Sequence, residues 1–236
     1  MRQIILDTET TGLEPRLGHR IIELAGVELV NRRLTGNHFH CYLNPDREVD
    51  EGAMQVHGIT SDFLEDKPRF GDVVGDFLDY IRGAELVIHN APFDTGFLNS
   101  ELDKLGLPPI TQYCSAVVDT LAMAREMRPG QRNSLDALCK HYGVDNSNRT
   151  LHGALLDCEL LGAVYLAMTR GQESLMMVSS QSDSTESEAR SRKPRPRPLR
   201  IHVPENELAE HNALLDAINR ESQGACLWLA GDGESD

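Results

Sequence analysis

The segment Ile4-Ile5-Leu6-Asp7-Thr8-Glu9-Thr10-Thr11-Gly12 constrains this chain most, because an apolar start, two acids two residues apart and a glycine turn together describe one strand and its end. Side chains alternate along a strand, so Asp7 and Glu9 project from one face at the carboxyl end. Two anions placed there repel each other and need solvent or a cation. Alone, a D-x-E pattern fits a solvated strand end as readily as a site, and the decision falls to the rest of the chain.

The buried strand Gln3 to Thr8 is expected to be followed by Ile21 to Val30 and His38 to Leu43, with Arg32 to Asn37 as a hairpin connection. Three strands so close together read as antiparallel neighbours. Beyond them Phe70 to Ile81 has helical periodicity, Glu85 to His89 is a compact strand, and Phe93 to Leu105 is an amphipathic helix stopped by Gly106. Further helices are expected at Thr120 to Arg128, Ser134 to Tyr142 and Gly153 to Met168. This order predicts an α/β fold, a mixed sheet flanked by helices.

Composition divides the chain. Residues 1 to 173 carry 16 basic and 26 acidic side chains and read as the globular domain. Residues 178 to 200 offer little apolar surface against the entropy of ordering. Val178 to Ala189 is rich in Ser, Glu and Asp, and Arg190 to Arg200 has six positive charges and three prolines, so a solvated, flexible linker is expected. A second apolar segment lies within residues 201 to 236, which carry eight acids and one arginine.

Several classes are excluded. The chain of 236 residues has a net charge of −14, which argues against a protein that coats nucleic acid by releasing counterions from phosphates. Its apolar runs fall far short of the ~20 residues that span a bilayer, and no signal-peptide core follows Met1, so a cytoplasmic protein without a membrane partner is expected. Cys41, Cys114, Cys139, Cys158 and Cys226 are odd in number and lack CxxC spacing, which speaks for reduced thiols and against a disulfide framework or zinc ribbon.

Two further acids join Asp7 and Glu9. Asp94, in His89-Asn90-Ala91-Pro92-Phe93-Asp94, falls in the first turn of a helix that Asn90 or Pro92 can start, directly after a strand. Asp157 shares a helical stripe with Leu161, Val164 and Met168, where a charge is costly to bury without a cation or hydrogen-bond donors. Four oxygen donors without a cysteine cluster suit Mg²⁺ or Mn²⁺ rather than zinc. Two such ions would bring a charge of +4 to balance about −4, the arrangement used in phosphoryl chemistry. His152 stands five residues before Asp157, about 140° away if both were helical, so it is expected on the loop at the helix start. A neutral imidazole there can take a proton from water.

Together these residues resemble the DEDDh family of 3′→5′ exonucleases. The family's three motifs match Asp7-Thr8-Glu9-Thr10-Thr11-Gly12, His89-Asn90-Ala91-Pro92-Phe93-Asp94 and His152-Gly153-Ala154-Leu155-Leu156-Asp157. The resemblance covers residues 1 to about 170. It implies an RNase H-like fold, two metal ions on Asp7, Glu9, Asp94 and Asp157, His152 as general base, and Asp7, Thr8, Glu9, Gly52, Ala53, His57 and Asp157 beside the 3′-terminal nucleotide of DNA. His57, read without that likeness, is a hydrogen-bonding loop residue before Gly58. The family often has an acid where Gly52 stands, with Glu51 as the neighbouring substitute.

Longer stretches, Tyr80 to Asn90, Arg132 to Leu138 and Arg149 to Asp157, are similar to the proofreading subunits of bacterial DNA polymerase III. That likeness implies a sliding-clamp peptide at Gln172 to Met177 within residues 174 to 200, for which a helix end is the plainer reading. It also implies a docking segment for the polymerase alpha subunit at 201 to 236, where Leu208, Leu215, Ile218 and Trp228 are exposed to a partner or fold back on the nuclease. A small accessory subunit stays open as a further partner. The basic, proline-containing linker departs from the glutamine-rich one often found there. Two other readings share the motifs: a DEDDh enzyme acting on RNA ends, and a noncatalytic module bracing a polymerase.

Overall fold

The structure is a computed structural model that describes residues 1–170 and 205–222, Cys226 and Trp228. The clamp-peptide and linker readings at Gln172 to Met177 and 178 to 200 lie outside the described residues. Strand β1 is Arg2–Thr10, β2 Ile21–Val30, β3 Arg33–Tyr42, β4 Glu85–Ile88 and β5 Ala116–Asp119. Helices are α1 Glu51–His57, α2 Ser61–Leu64, α3 Phe70–Ile81, α4 Ala91–Lys104, α5 Thr120–Met127, α6 Leu135–Tyr142, α7 Ala154–Met168 and α8 Glu205–Glu221.

The five strands form one mixed sheet in the order β3-β2-β1-β4-β5. β1, β2 and β3 are antiparallel neighbours, whereas β1, β4 and β5 run parallel. The chain therefore makes a meander first and crosses over through helices afterwards, as its order of elements requires.

Alternation along β1 assigns the two faces. Ile4 and Leu6 pack with Phe77, Leu78 and Ile81 of α3 and with Phe97, Leu98 and Leu102 of α4. Ile5 faces the other way, onto Leu138 of α6 and Leu161, Val164 and Tyr165 of α7. Asp7 and Glu9 share the parity of Ile5 and so stand at the end of the face that α7 covers.

The first hairpin corrects the sequence expectation. β3 begins at Arg33, so the connection is Asn31 and Arg32 rather than Arg32 to Asn37. Both residues have positive φ, 49° and 63°, as a tight hairpin turn demands. Arg32 is held in this uncommon conformation by donating to Thr169 Oγ1 at 2.6 Å and to the Leu166 carbonyl at 2.9 Å. These bonds also occupy the carboxyl end of α7. A second correction concerns His57, which closes the last turn of α1 instead of lying in a loop, with Gly58 at φ 75° ending the helix.

A buried ion pair fastens α4 to the sheet. Glu101, 2% exposed on α4, accepts from Nε and Nη2 of Arg20, the residue that leads into β2. Removing the arginine takes both close donors from a buried carboxylate and leaves it Lys104 Nζ at 3.9 Å. Arg20→Met should lower unfolding free energy by about 3 kcal/mol in urea denaturation. Adding Glu101→Leu should recover most of that loss, and equal stability of wild type and the single variant would contradict this role.

Candidate active site

The turn after β1 is fixed by its own backbone. Thr11 N–H donates to the Arg20 carbonyl at 2.9 Å, and the Thr11 carbonyl accepts from Asp50 N–H at 3.0 Å. Thr11 Oγ1 lies 3.1 Å from His19 Nδ1. A Cβ on Gly12 would stand 2.3 Å from the His19 ring, so the close approach of that buried imidazole requires glycine.

Beyond this turn, at the carboxyl ends of the parallel strands, opens a cleft of about 1240 Å³. This is where a sheet of parallel strands leaves room for a ligand. Asp7, Thr8, Glu9, Gly52, Ala53, His57, Asp94, His152 and Asp157 all line it, so residues far apart in the sequence share one wall.

The four acids arrive from both helical layers. Asp7 and Glu9 come from β1, and Asp157 from the first turn of α7. Asp94 comes from the first turn of α4, on the opposite layer, and accepts a hydrogen bond from Thr8 Oγ1 at 2.7 Å. Thr8 can reach it because its side chain points to the α4 side while its neighbours point to α7. Asn90, with φ 69°, makes the sharp reversal from β4 into α4.

Glu9, Asp94 and Asp157 are 8%, 2% and 4% exposed. Asp7 is half-buried and open toward the cleft. Burial, then Asp94 and the other acids, pushes Asp7 well above the ordinary carboxylate range. Burial followed by Asp157 raises Glu9 to about 8, and burial raises Asp94 to about 7. These shifts mark negative charge that the protein's own groups leave uncompensated.

That excess suits hard cations. Glu9, His152 and Asp157 each offer a ligand atom, and these atoms lie within 4.8 Å of one another. The oxygen-rich donor set fits a divalent metal of the Mg²⁺ or Mn²⁺ type, with Asp7 and Asp94 lining the same cleft.

His152 occupies the loop before α7, as its spacing predicts, and its backbone N–H donates to Val56 of α1 at 3.1 Å. Its Nδ1 lies 3.7 Å from Asp157 Oδ2. Burial and then Arg149 push its pKa down, favouring the neutral ring. His57 is also pushed down, chiefly by burial. Its Nδ1 accepts from Ile59 N–H at 3.0 Å, which leaves the proton on Nε2, buried and without a partner among the described residues. A Cβ at Gly52 would meet nothing within 4 Å, so an acid there would extend into open space. Glu51 is exposed at the start of α1 and is not among the residues that line the cleft.

Sequence reasoning missed Glu23 and Arg149. Glu23 sits opposite Glu9 in the β1–β2 register, 3% exposed, and is bound by His40 Nε2 at 2.8 Å and Ala154 N–H at 3.1 Å. The alternation of β2 signals it, since Glu23 shares a face with Ala25 and Val27. Arg149 donates to both Asp157 oxygens at 2.6 Å. Its signal was the need of a buried Asp157 for a cation.

A family model described as "Exonuclease" matches residues 4–165. The chain is 53% identical over 239 residues to the DNA polymerase III subunit epsilon of Salmonella typhimurium, an alignment covering 97% of this chain and 98% of that protein. Identity to the DNA polymerase III subunit epsilon of Escherichia coli is 52%, with the same coverage. Among solved structures, exonuclease X in complex with 5′ overhanging duplex DNA matches with a TM-score of 0.57 at 28% identity, over 72% of this chain and 93% of that one. The nuclease domain of 3′hExo, a DEDDh family member bound to rAMP, shares the fold with a TM-score of 0.62 at 20% identity, over 72% and 92% of the two chains.

The raised acids give a signed pH dependence. Between their ordinary values and about 7 to 8, Glu9 and Asp94 bind more protons in the folded than in the unfolded chain. Their contribution to stability is therefore complete below about pH 4 and lost as pH rises through about 8. In chelator the melting temperature should fall between pH 5 and 8, and Mn²⁺ should raise it more at pH 8 than at pH 5. A melting temperature that climbs across this window in chelator would contradict the charge assignment.

Proposed function

Since the chain belongs to the exonuclease family and, within it, to the DNA polymerase III epsilon subunits, we propose that it removes mispaired nucleotides from DNA 3′ ends as deoxynucleoside monophosphates. The observation that carries this reading is the convergence of Asp7, Glu9, Asp94 and Asp157 from both helical layers on one cleft, with His152 at its rim. Those four acids are the holders of two ions, Mg²⁺ or Mn²⁺. When bound, the ions supply Lewis-acid polarisation of the phosphate and a more acidic water.

The chain's own residues do the rest. Thr8 holds Asp94 in place through its hydroxyl. His152 accepts the proton of the attacking water, a role suited to a ring kept neutral by burial and a nearby guanidinium. Attack on the terminal phosphodiester expels the 3′-oxygen of the penultimate nucleotide. Gly52 and Ala53 form an open wall beside the terminal nucleotide, and the unpartnered Nε2–H of His57 is a donor for it.

The carboxyl-terminal region serves as the tether. Helix α8 exposes Leu208, Leu214 and Ile218, and Trp228 is 81% exposed, an apolar surface suited to the polymerase alpha subunit. Gln172 to Met177 is the sliding-clamp peptide in this reading, and a small accessory subunit is a further partner. No helix among the described residues is long and apolar enough to cross a membrane, in keeping with a cytoplasmic place beside the replication machinery.

A primer with a mismatched 3′ end should be shortened by wild type with Mg²⁺ and left intact by Asp7→Ala, while His152→Ala should cost about 10²-fold or more in kcat. Equal rates for Asp7→Ala and wild type would reject the site. Matched DNA and RNA strands offered to the same enzyme test the substrate class, with faster cleavage of DNA expected. In pull-downs, ending the chain at Arg200 should abolish capture of the alpha subunit, and undiminished capture would reject the tether.

A further inference from the structure

Besides helping to keep the His152 ring neutral, the Arg149 guanidinium engages a proposed metal ligand and the proposed base together. Its side chain is 6% exposed. Nε donates to Asp157 Oδ1 and Nη2 to Asp157 Oδ2, each at 2.6 Å, the two-bonded fork of a strong arginine–carboxylate pair. Nη2 also lies 3.1 Å from His152 Nδ1, and Nη1 donates to Asp136 Oδ1 at 2.9 Å.

Chemistry fixes the direction of these contacts. A guanidinium can only donate, so the Nδ1 lone pair of His152 is the acceptor and the proton of the neutral ring sits on Nε2. In that arrangement the lone pair that should receive a proton from water is taken. A divalent ion drawn to Glu9, His152 and Asp157 also meets a positive charge already bonded to both oxygens of Asp157.

We propose that Arg149 is a built-in counter-ion that competes with the divalent metal for Asp157 and holds His152 out of use, so that charging the site requires the guanidinium to withdraw. Asp136 provides the place to go. Its side chain is 57% exposed at the cleft wall, so Arg149 keeps one carboxylate partner as it leaves the other. Arg149 is thus a positioning residue that neutralises a buried acid until metal takes over, and it prevents Asp157 from standing unpaired in the interior. This rests on the two-metal reading above.

The test is Mn²⁺ binding to the full chain without DNA, followed by calorimetry, for wild type, Arg149→Gln and Arg149→Lys. Arg149→Gln should bind Mn²⁺ about tenfold or more tightly, because no charge-assisted pair must be broken first. Arg149→Lys keeps the charge but loses the fork and should bind a few-fold more tightly. In chelator Arg149→Gln should melt at a lower temperature than wild type, and Mn²⁺ should raise that temperature further than it does for wild type. Unchanged or weaker Mn²⁺ binding by both variants overturns the competition. Should Arg149→Gln not fold, the same comparison with Arg149→Lys decides. A wild type that binds no Mn²⁺ overturns the metal reading itself, which keeps the two failures apart.

Discussion

The mutual repulsion of carboxylates gathered where water is scarce is the constraint on which the rest of this structure depends. Asp7, Glu9, Asp94 and Asp157 are pushed together at the end of a sheet, and the raised pKa values of the first three record the strain. Left to themselves such groups would move apart or take up protons. They stay because the protein fixes each in place: the ladder of β1 holds Asp7 and Glu9, the Thr8 hydroxyl holds Asp94, and the Arg149 guanidinium pairs with Asp157. Glu23, a fifth acid nearby, is satisfied by His40 and by the first N–H of α7.

This explains why the site stands at the meeting of two layers. Acids from a single element would share one face and one direction, whereas β1 supplies Asp7 and Glu9 to the α7 side and Thr8 to the α4 side. The rigidity must therefore come from the packing of both layers on the same strand. Ile4 and Leu6 anchor one, Ile5 the other, and the Arg20–Glu101 pair ties the α4 layer to the start of β2. A cluster of acids that lowers stability is carried by a core that restores it.

Much of this was legible in the sequence because the signals were local. The period of two placed Asp7 and Glu9 on one face, and the apolar stripe around Asp157 showed that its charge needed compensation. Helix α3 follows its periodicity from Phe70 to Ile81. Strand β3 was less legible at its start, since it is an exposed edge with the polar run Arg33 to His38 and no apolar alternation. Helix α1 escaped notice because it is seven residues long, too short to show a helical period, and carries Gly52 inside it and Gly58 at its end. Arg149 and Glu23 were hidden for another reason: their importance lies in partners eight and 131 residues away, which periodicity does not show.

The net charge of −14 takes on a different meaning once the acids are placed. Four belong to the cleft, and the acidic surface that remains disfavours tight independent binding to DNA. The most direct measurement of the central claim is a crystal structure with Mn²⁺ and a deoxynucleoside monophosphate, read by anomalous scattering. Two peaks roughly 3.5–4 Å apart among Asp7, Glu9, Asp94 and Asp157 are the predicted result. A crystal in which the nucleotide occupies the cleft while no ion touches those carboxylates would contradict it.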